Sequence, residues 1–259
     1  MKINNLLKIA VLGSGALLLL AACGNSSKES KSEEKVLVVG TEGTYAPFSF
    51  HDDKDKLTGF DVDVAKAVGK EMGYKVEFFE APWDSLLAAF DAGKTDVILN
   101  QMGITDERKE KYDFSVPYTF SKTALITKKD NQEIKSFDDL KGKKAAQSLT
   151  SNYGQVAESY GAELESTSGF DQAIELVLRG RADATLNDDV AYYDYLKQHP
   201  KAEIQITATS DDATKIGIPV KKGNEDLLKK INQALESLQK DGTLTKISEK
   251  YFNEDITKE

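Results

Sequence analysis

Trp83 to Asn100, WDSLLAAFDAGKTDVILN, recurs in pattern at Phe170 to Asn187, FDQAIELVLRGRADATLN. Each copy opens on an aromatic residue and an aspartate, then carries apolar residues at helical spacing: Leu86, Leu87 and Phe90 in the first, Ile174, Val177 and Leu178 in the second. Each continues with Gly-basic-x-Asp and a short β-run closing in Leu-Asn. Gly93 and Gly180 fall where a helix ends in the left-handed conformation that glycine reaches at least cost. The pattern is that of a duplicated helix–strand unit, and the fold class is α/β. The copies diverge after the asparagine. The first runs through Gly103 to Arg108, and the second runs straight into Asp188. Ligands of α/β sheets bind where strands end and helices begin. Two such units face to face would therefore offer a cation and an anion to one small zwitterion.

The rest of the chain narrows the function classes. Its 259 residues, 40% hydrophobic and 30% charged, suffice for one large domain or two smaller ones. The formal charge is -9, and removing a leader with Lys2 and Lys8 takes it to -11, which argues against nucleic acid as a partner. Cys23 is the single cysteine, so no intrachain disulfide or thiolate metal cluster can form. With only His51 and His199, serine-hydrolase triads and histidine metal sites lack material. The carboxylates between Asp52 and Lys56 lack metal-loop spacing. Neither a metal nor a cofactor is expected.

Residues 1–22 read as a secretion signal, with basic Lys2 and Lys8 ahead of an apolar run, Ile9 to Leu20, too short for a comfortable membrane span. Leu20-Ala21-Ala22-Cys23 resembles the bacterial lipobox, whose cysteine is lipidated, with palmitate, and becomes the first mature residue. The other reading is an ordinary signal peptide with a stray cysteine. Residues 23–35 lack apolar content after Cys23 and read as a flexible tether. An anchor and a tether imply work at the outer face of a bacterial cell membrane, of Gram-positive type.

The folded chain opens with the strand Val36 to Gly40 of a parallel sheet, and the loop Thr41 to Phe48 leaves its C-terminal end. Tyr45 in that loop reads either as a packed aromatic or as a residue facing a cleft. A helix through Val64, Ala67, Val68 and Met72 stops at Gly73 before the strand Lys75 to Phe79. Trp83, the only tryptophan, is core filler or the wall of a site. After the strand Asp96 to Leu99, Thr105 can cap a helix whose first turn suits Asp106 and Glu107 but not Arg108. Arg108 is a solvated surface cation or a planar fork for a carboxylate. Further strands are expected at Ala124 to Lys128 and Lys144 to Leu149, with a capping box at Ser136 to Asp139 between them. Thr150 to Tyr153 then opens a helix whose free N–H groups, at Ser151 and Asn152, could cradle an anion. Of the next two carboxylates, Asp189 is read as a helix cap and Asp188 as a ligand group. Thr214 to Val220 is expected as one strand returning to the first lobe, ahead of the amphipathic helix Glu225 to Lys240 and a last helix after Gly242.

From Val36 to about Thr257 the chain resembles the polar amino-acid-binding proteins of bacterial ABC importers, solute-binding protein family 3. The stretches that carry the resemblance are VGTEGTYAPFSF, LTGFDVDVAKAVGKEMG, NQMGITDERKEKYDFSVPY, DLKGKK and LQKDGTLTKISEKYF. It implies the two-lobed, type II periplasmic-binding-protein fold, with residues 36–120 plus 215–259 in one lobe and 121–214 in the other. Two crossover strands would join the lobes, with the ligand in the cleft. It implies that Arg108, in the T-x-x-R position, binds the ligand α-carboxylate and that Asp188 binds its α-ammonium. Tyr45 matches the family's loop tyrosine, and Trp83 the residue that packs on the ligand side chain. Asn100, Gln101 and Gly103 stand where binders of basic amino acids carry serines. The set EGTY, PW, N-Q, ITDER and Thr-Ser-Asn-Tyr is most similar to the cystine-binding subgroup, in which Glu42 could accept the distal ammonium. Gln147 and Ser148 depart from the subgroup's Gly-Val run. The implied protein is a monomeric, lipid-anchored, non-enzymatic importer subunit that delivers cystine to permease subunits. Glutamine as ligand, a cyclohexadienyl dehydratase-like enzyme, and an adhesin or sensor on the same fold are the alternatives.

Overall fold

The computed structural model describes residues 35–259; the leader, Cys23 and the tether as far as 34 lie outside the described residues. From residue 34 onward the chain forms one compact unit. It begins with β1 (Val36–Thr41), a small antiparallel sheet of β2 (Thr44–Tyr45), β3 (Ser49–His51) and β4 (Leu57–Thr58), then α1 (Phe60–Met72) and β5 (Lys75–Glu80). The first repeat copy supplies α2 (Trp83–Asp91) and β6 (Val97–Ile98), followed by α3 (Asp106–Lys111), β7 (Tyr112–Phe114) and β8 (Thr119–Ser121). The second lobe holds β9 (Thr123–Lys128), β10 (Lys144–Gln147), α4 (Asn152–Ser159), β11 (Glu163–Ser166), α5 (Phe170–Leu178), β12 (Ala184–Asp188), α6 (Asp189–Gln198) and β13 (Ile204–Thr209). The chain returns through β14 (Thr214–Ile216) and β15 (Pro219–Lys221) and ends with α7 (Glu225–Lys240) and α8 (Thr243–Phe252).

Two five-stranded sheets result, ordered β5-β1-β6-β15-β7 and β11-β10-β12-β9-β13. Each lobe sets parallel strands beside antiparallel ones: β1 pairs in parallel with β5 and β6, while β15 runs against β6 and β7. In the second lobe β10 is parallel to β11 and β12, and β9 is antiparallel to β12 and β13.

The duplication read from the sequence is a structural one. Helices α2 and α5 occupy the same nine positions of their copies, Trp83–Asp91 and Phe170–Leu178. Gly93 and Gly180 follow with φ of 75° and 67°, the left-handed turn that aims the chain back into the sheet. The aspartate after each glycine has a job that pattern alone did not reveal. Asp96 Oδ2 accepts from the Val38 N–H at 2.8 Å, and Asp183 Oδ2 accepts from the Lys144 N–H at 2.8 Å. Each carboxylate thereby ties its own copy to the neighbouring strand. Leu86, Phe90 and Ile98 of the first copy are fully buried, each side chain contributing ~1.5 to 3 kcal/mol by leaving water.

Three expectations about elements need correction. The strand Asp96 to Leu99 contracts to Val97–Ile98, because Asp96 turns its carboxylate onto β1. The strand Lys144 to Leu149 stops at Gln147, and Leu149 is 61% exposed. Thr214 to Val220 is not one strand. Its first part, β14, pairs with β8 on the way between lobes, and only after Gly217-Ile218 does β15 join the first sheet. A chain that changes partners cannot keep one ladder. The capping box at Ser136/Asp139 and the bounds Glu225–Lys240 are as the sequence predicts.

Candidate ligand site between the lobes

The loops at the C-terminal ends of β1, β6, β10 and β12 converge on one cavity. Its wall includes seven of the ten residues singled out from the sequence: Glu42, Tyr45, Trp83, Asn100, Gln101, Ser151 and Asn152. Gly103, Arg108 and Asp188 are not on that wall. They stand behind it, and the geometry explains why. Arg108 is 7% exposed. Its Nη1 donates to the Gly103 carbonyl at 2.9 Å and to Asn152 Oδ1 at 3.3 Å, and Nη2 donates to the Thr150 carbonyl at 3.2 Å. The guanidinium lies 5.4 Å from the Trp83 ring centroid, within cation–π range. Thr105 caps α3 by accepting from the Arg108 N–H at 3.2 Å, which fixes the backbone from which the fork departs.

Asp188 is fully buried. It receives the hydroxyls of Ser121, of Tyr153 at 2.5 Å and of Tyr45 at 2.6 Å. Asp188 occupies the N-cap position of α6 without capping it; Asp189 is the first helical residue, and its carboxylate accepts from the Val190 N–H at 2.9 Å. Tyr45 is neither free in the cleft nor simply core. From the first lobe it reaches Asp188 and, at 2.5 Å, Asn187 Oδ1, one phenolic proton facing two acceptors of the second lobe.

Burial pulls the Arg108 guanidinium down to about 10 and pushes the Asp188 carboxyl upward. Among the described residues neither makes an ion pair. The site thus holds two desolvated charges of opposite sign, each satisfied by neutral groups alone.

The final asparagines of the two repeat copies both line the cavity. Asn100 works as a bracket: Oδ1 accepts from the Glu42 N–H at 2.9 Å, and Nδ2 donates to Glu42 Oε2 at 2.6 Å. Burial raises the Glu42 carboxyl from its ordinary 4.5 to about 7. Gln101 adopts a left-handed φ of 51°. Asp61, fully buried, compensates that strain by accepting from its N–H at 2.8 Å and its Nε2 at 2.9 Å. Sequence reasoning missed Asp61, for which LTGFDVD gave no polar signal beyond a helix start. It also assigned no site role to Gln147, Tyr153, Thr167, Phe170, Thr185 and Asn187, which complete much of the second lobe's wall.

Outside the cavity the lobes are latched. Asp84 Oδ1, on the first turn of α2, accepts from the Thr150 N–H at 3.0 Å and the Thr150 hydroxyl at 2.6 Å, and Oδ2 accepts from the Leu149 N–H at 3.3 Å. Three such bonds at ~0.5 to 1.5 kcal/mol each, exposed and therefore at the low end, hold the lobes together by roughly 1 to 2 kcal/mol. Asp84→Ala is expected to speed ligand dissociation roughly 5- to 30-fold at unchanged association rate, because the bonds tie one lobe to the other. Stopped-flow fluorescence of Trp83 reads both rates. An unaltered dissociation rate would remove the latch.

The profile of the bacterial extracellular solute-binding proteins, family 3, matches residues 37–254. The chain belongs to this family. It is 44% identical over 253 residues to the L-cystine-binding protein TcyA of Bacillus subtilis, covering 92% of this chain and 94% of that one. Among solved structures, an ancestral arginine-binding protein bound to arginine shares 43% identity with a TM-score of 0.79, over 85% of this chain and 99% of the other. The L-cystine solute receptor of Neisseria gonorrhoeae in its unliganded open conformation shares 45% identity over 88% and 97% of the chains, yet its TM-score is 0.57. In this structure Tyr45 and Asp84 both bond across the cleft from the first lobe to the second.

Proposed function

We propose that this solute-binding protein is the extracytoplasmic substrate-binding component of an amino-acid ABC importer, closing on a zwitterionic amino acid, L-cystine, and delivering it to the permease. The reading rests on one observation: Arg108 and Asp188 are buried on opposite lobes without counter-ions among the described residues. An unpaired buried charge is costly, and a zwitterion supplies both missing partners at once. The α-carboxylate would take the Arg108 fork beside the start of α4, and the α-ammonium would take Asp188 with Tyr45. Ligand contact with both lobes only when shut is what shifts the equilibrium to the closed form. Cystine is favoured over glutamine by the likeness to TcyA and by a second carboxyl group, Glu42, on the cavity wall. Lipidation at Cys23 would hold the monomer at the membrane's outer face, and the duty is capture, not turnover. A thermal-shift panel of amino acids tests the reading: the true ligand at 100 times its Kd stabilises by ~2.7 kcal/mol. No response to cystine, glutamine or any other free amino acid would end it.

A pH series tests the role of Glu42. Its folded-state value is raised, so the unliganded protein gains stability from that proton at low pH and loses it as pH rises from 4.5 through about 7. A ligand ammonium binds only the deprotonated form. Affinity for cystine is therefore expected to rise between pH 6 and pH 8 with proton release, and Glu42→Gln should flatten the dependence. Calorimetry in buffers of different ionisation enthalpy counts the proton. Equal release by wild type and variant would exclude Glu42.

A further inference from the structure

Gln147 ends β10, is 4% exposed and lines the cavity. Its Nε2 donates to the Leu186 carbonyl at 2.9 Å and to Thr185 Oγ1 at 3.2 Å. The direction of that amide is fixed by its neighbours. Thr185 spends its hydroxyl proton on the Ala146 carbonyl at 2.9 Å, so toward Gln147 it can only accept, as can the Leu186 carbonyl. Turning the amide over would set its oxygen against two acceptors. Both amide protons are thereby used within the second lobe, and among the described residues the Oε1 atom bonds to no protein group. Among the described residues only the Trp83 indole nitrogen and the Thr95 hydroxyl are buried and unpaired, so open space reaches the Gln147 oxygen. The space that Gln147 borders is the cavity.

We infer that Gln147 is a specificity-determining residue whose carboxamide oxygen accepts a hydrogen bond from an N–H-bearing group on the ligand's side chain. The inference rests on the amino-acid-binding reading above and names the class of side chain: an ammonium, amide or guanidinium satisfies the oxygen. A thioether, hydrocarbon or carboxylate leaves it bare. Sites built around a hydrogen-bonding group reject analogues that lack the partner. For cystine the donor is the distal ammonium, which Gln147 and Glu42 would share.

The test compares two ligands on three proteins by calorimetry. L-Cystine and the mixed disulfide of L-cysteine with 3-mercaptopropionate differ only in the distal amine. Wild type is expected to prefer cystine, and Gln147→Met, close in volume, should compress that preference by about tenfold or more, ~1.4 kcal/mol. Gln147→Asn, which keeps the amide but withdraws the oxygen by one methylene, should compress it too, and serves if the methionine variant fails to fold. A preference ratio unchanged in a folded variant, with both ligands weakened alike, overturns the inference. Wild type binding neither ligand, nor any other amino acid, instead overturns the import reading and this inference with it.

Discussion

Arg108→Ala is expected to weaken amino-acid binding by ~2 to 5 kcal/mol, roughly 30- to 5,000-fold in Kd, the range for breaking a desolvated charge pair. Arg108 is 7% exposed, and among the described residues its guanidinium meets carbonyl oxygens, an asparagine side chain and an indole face. None of these repays its desolvation as a carboxylate would. The unliganded variant should therefore melt close to wild type, because removing a buried cation also removes its desolvation cost. Loss of binding with retained stability is the signature of a ligand group. Arg108→Lys should recover only part of the affinity, since an ammonium cannot present the planar fork. Calorimetry with matched melting curves checks both halves. An unchanged Kd would exclude Arg108 from recognition, and a collapsed melting temperature would make it a structural residue.

Asp188→Asn is expected to cost a similar ~2 to 5 kcal/mol in binding, again the range for a buried charge pair, but by a different route. The carboxylate now accepts from Ser121, Tyr153 and Tyr45, hydroxyls drawn from the crossover and from both lobes. An amide in its place removes the ammonium's partner and turns two N–H donors toward hydroxyl protons. The unliganded protein should lose less, because burial already holds the Asp188 carboxyl above the usual carboxylate range. The same shift sets a sign for pH: acid protonates Asp188 and weakens ammonium binding in wild type, while Asp188→Asn lacks that component. Parallel titrations of the two proteins would contradict the assignment.

The repeat was legible because it is local. Nine-residue helices with their glycine stops, and the apolar spacing of α7, follow from neighbours within a turn or two. Arg108 and Asp188 stood out through local features as well, a cation in the first turn of α3 and a carboxylate directly after the second repeat copy, although Asp188 and not Asp189 takes the N-cap position of α6. What pattern missed depends on partners far apart in sequence. Asp84 meets Thr150 across 66 residues and Tyr45 meets Asp188 across 143, so no window holds both members. The break in Thr214 to Val220 is of this kind too, because it is set by β8 and not by composition. Gln147 stood out in sequence only as a departure from a familiar run. Its meaning required knowing where Thr185 spends its proton.

We propose that the two buried charges on opposite lobes, Arg108 and Asp188, take the two ends of one amino acid. Calorimetry of the best-bound amino acid beside its α-carboxamide and its N-acetyl derivative tests this most directly. Neutralising either end should abolish measurable binding, the amide leaving Arg108 and the acetyl group leaving Asp188 without a counter-ion. Binding of either derivative as tightly as the free amino acid would contradict it.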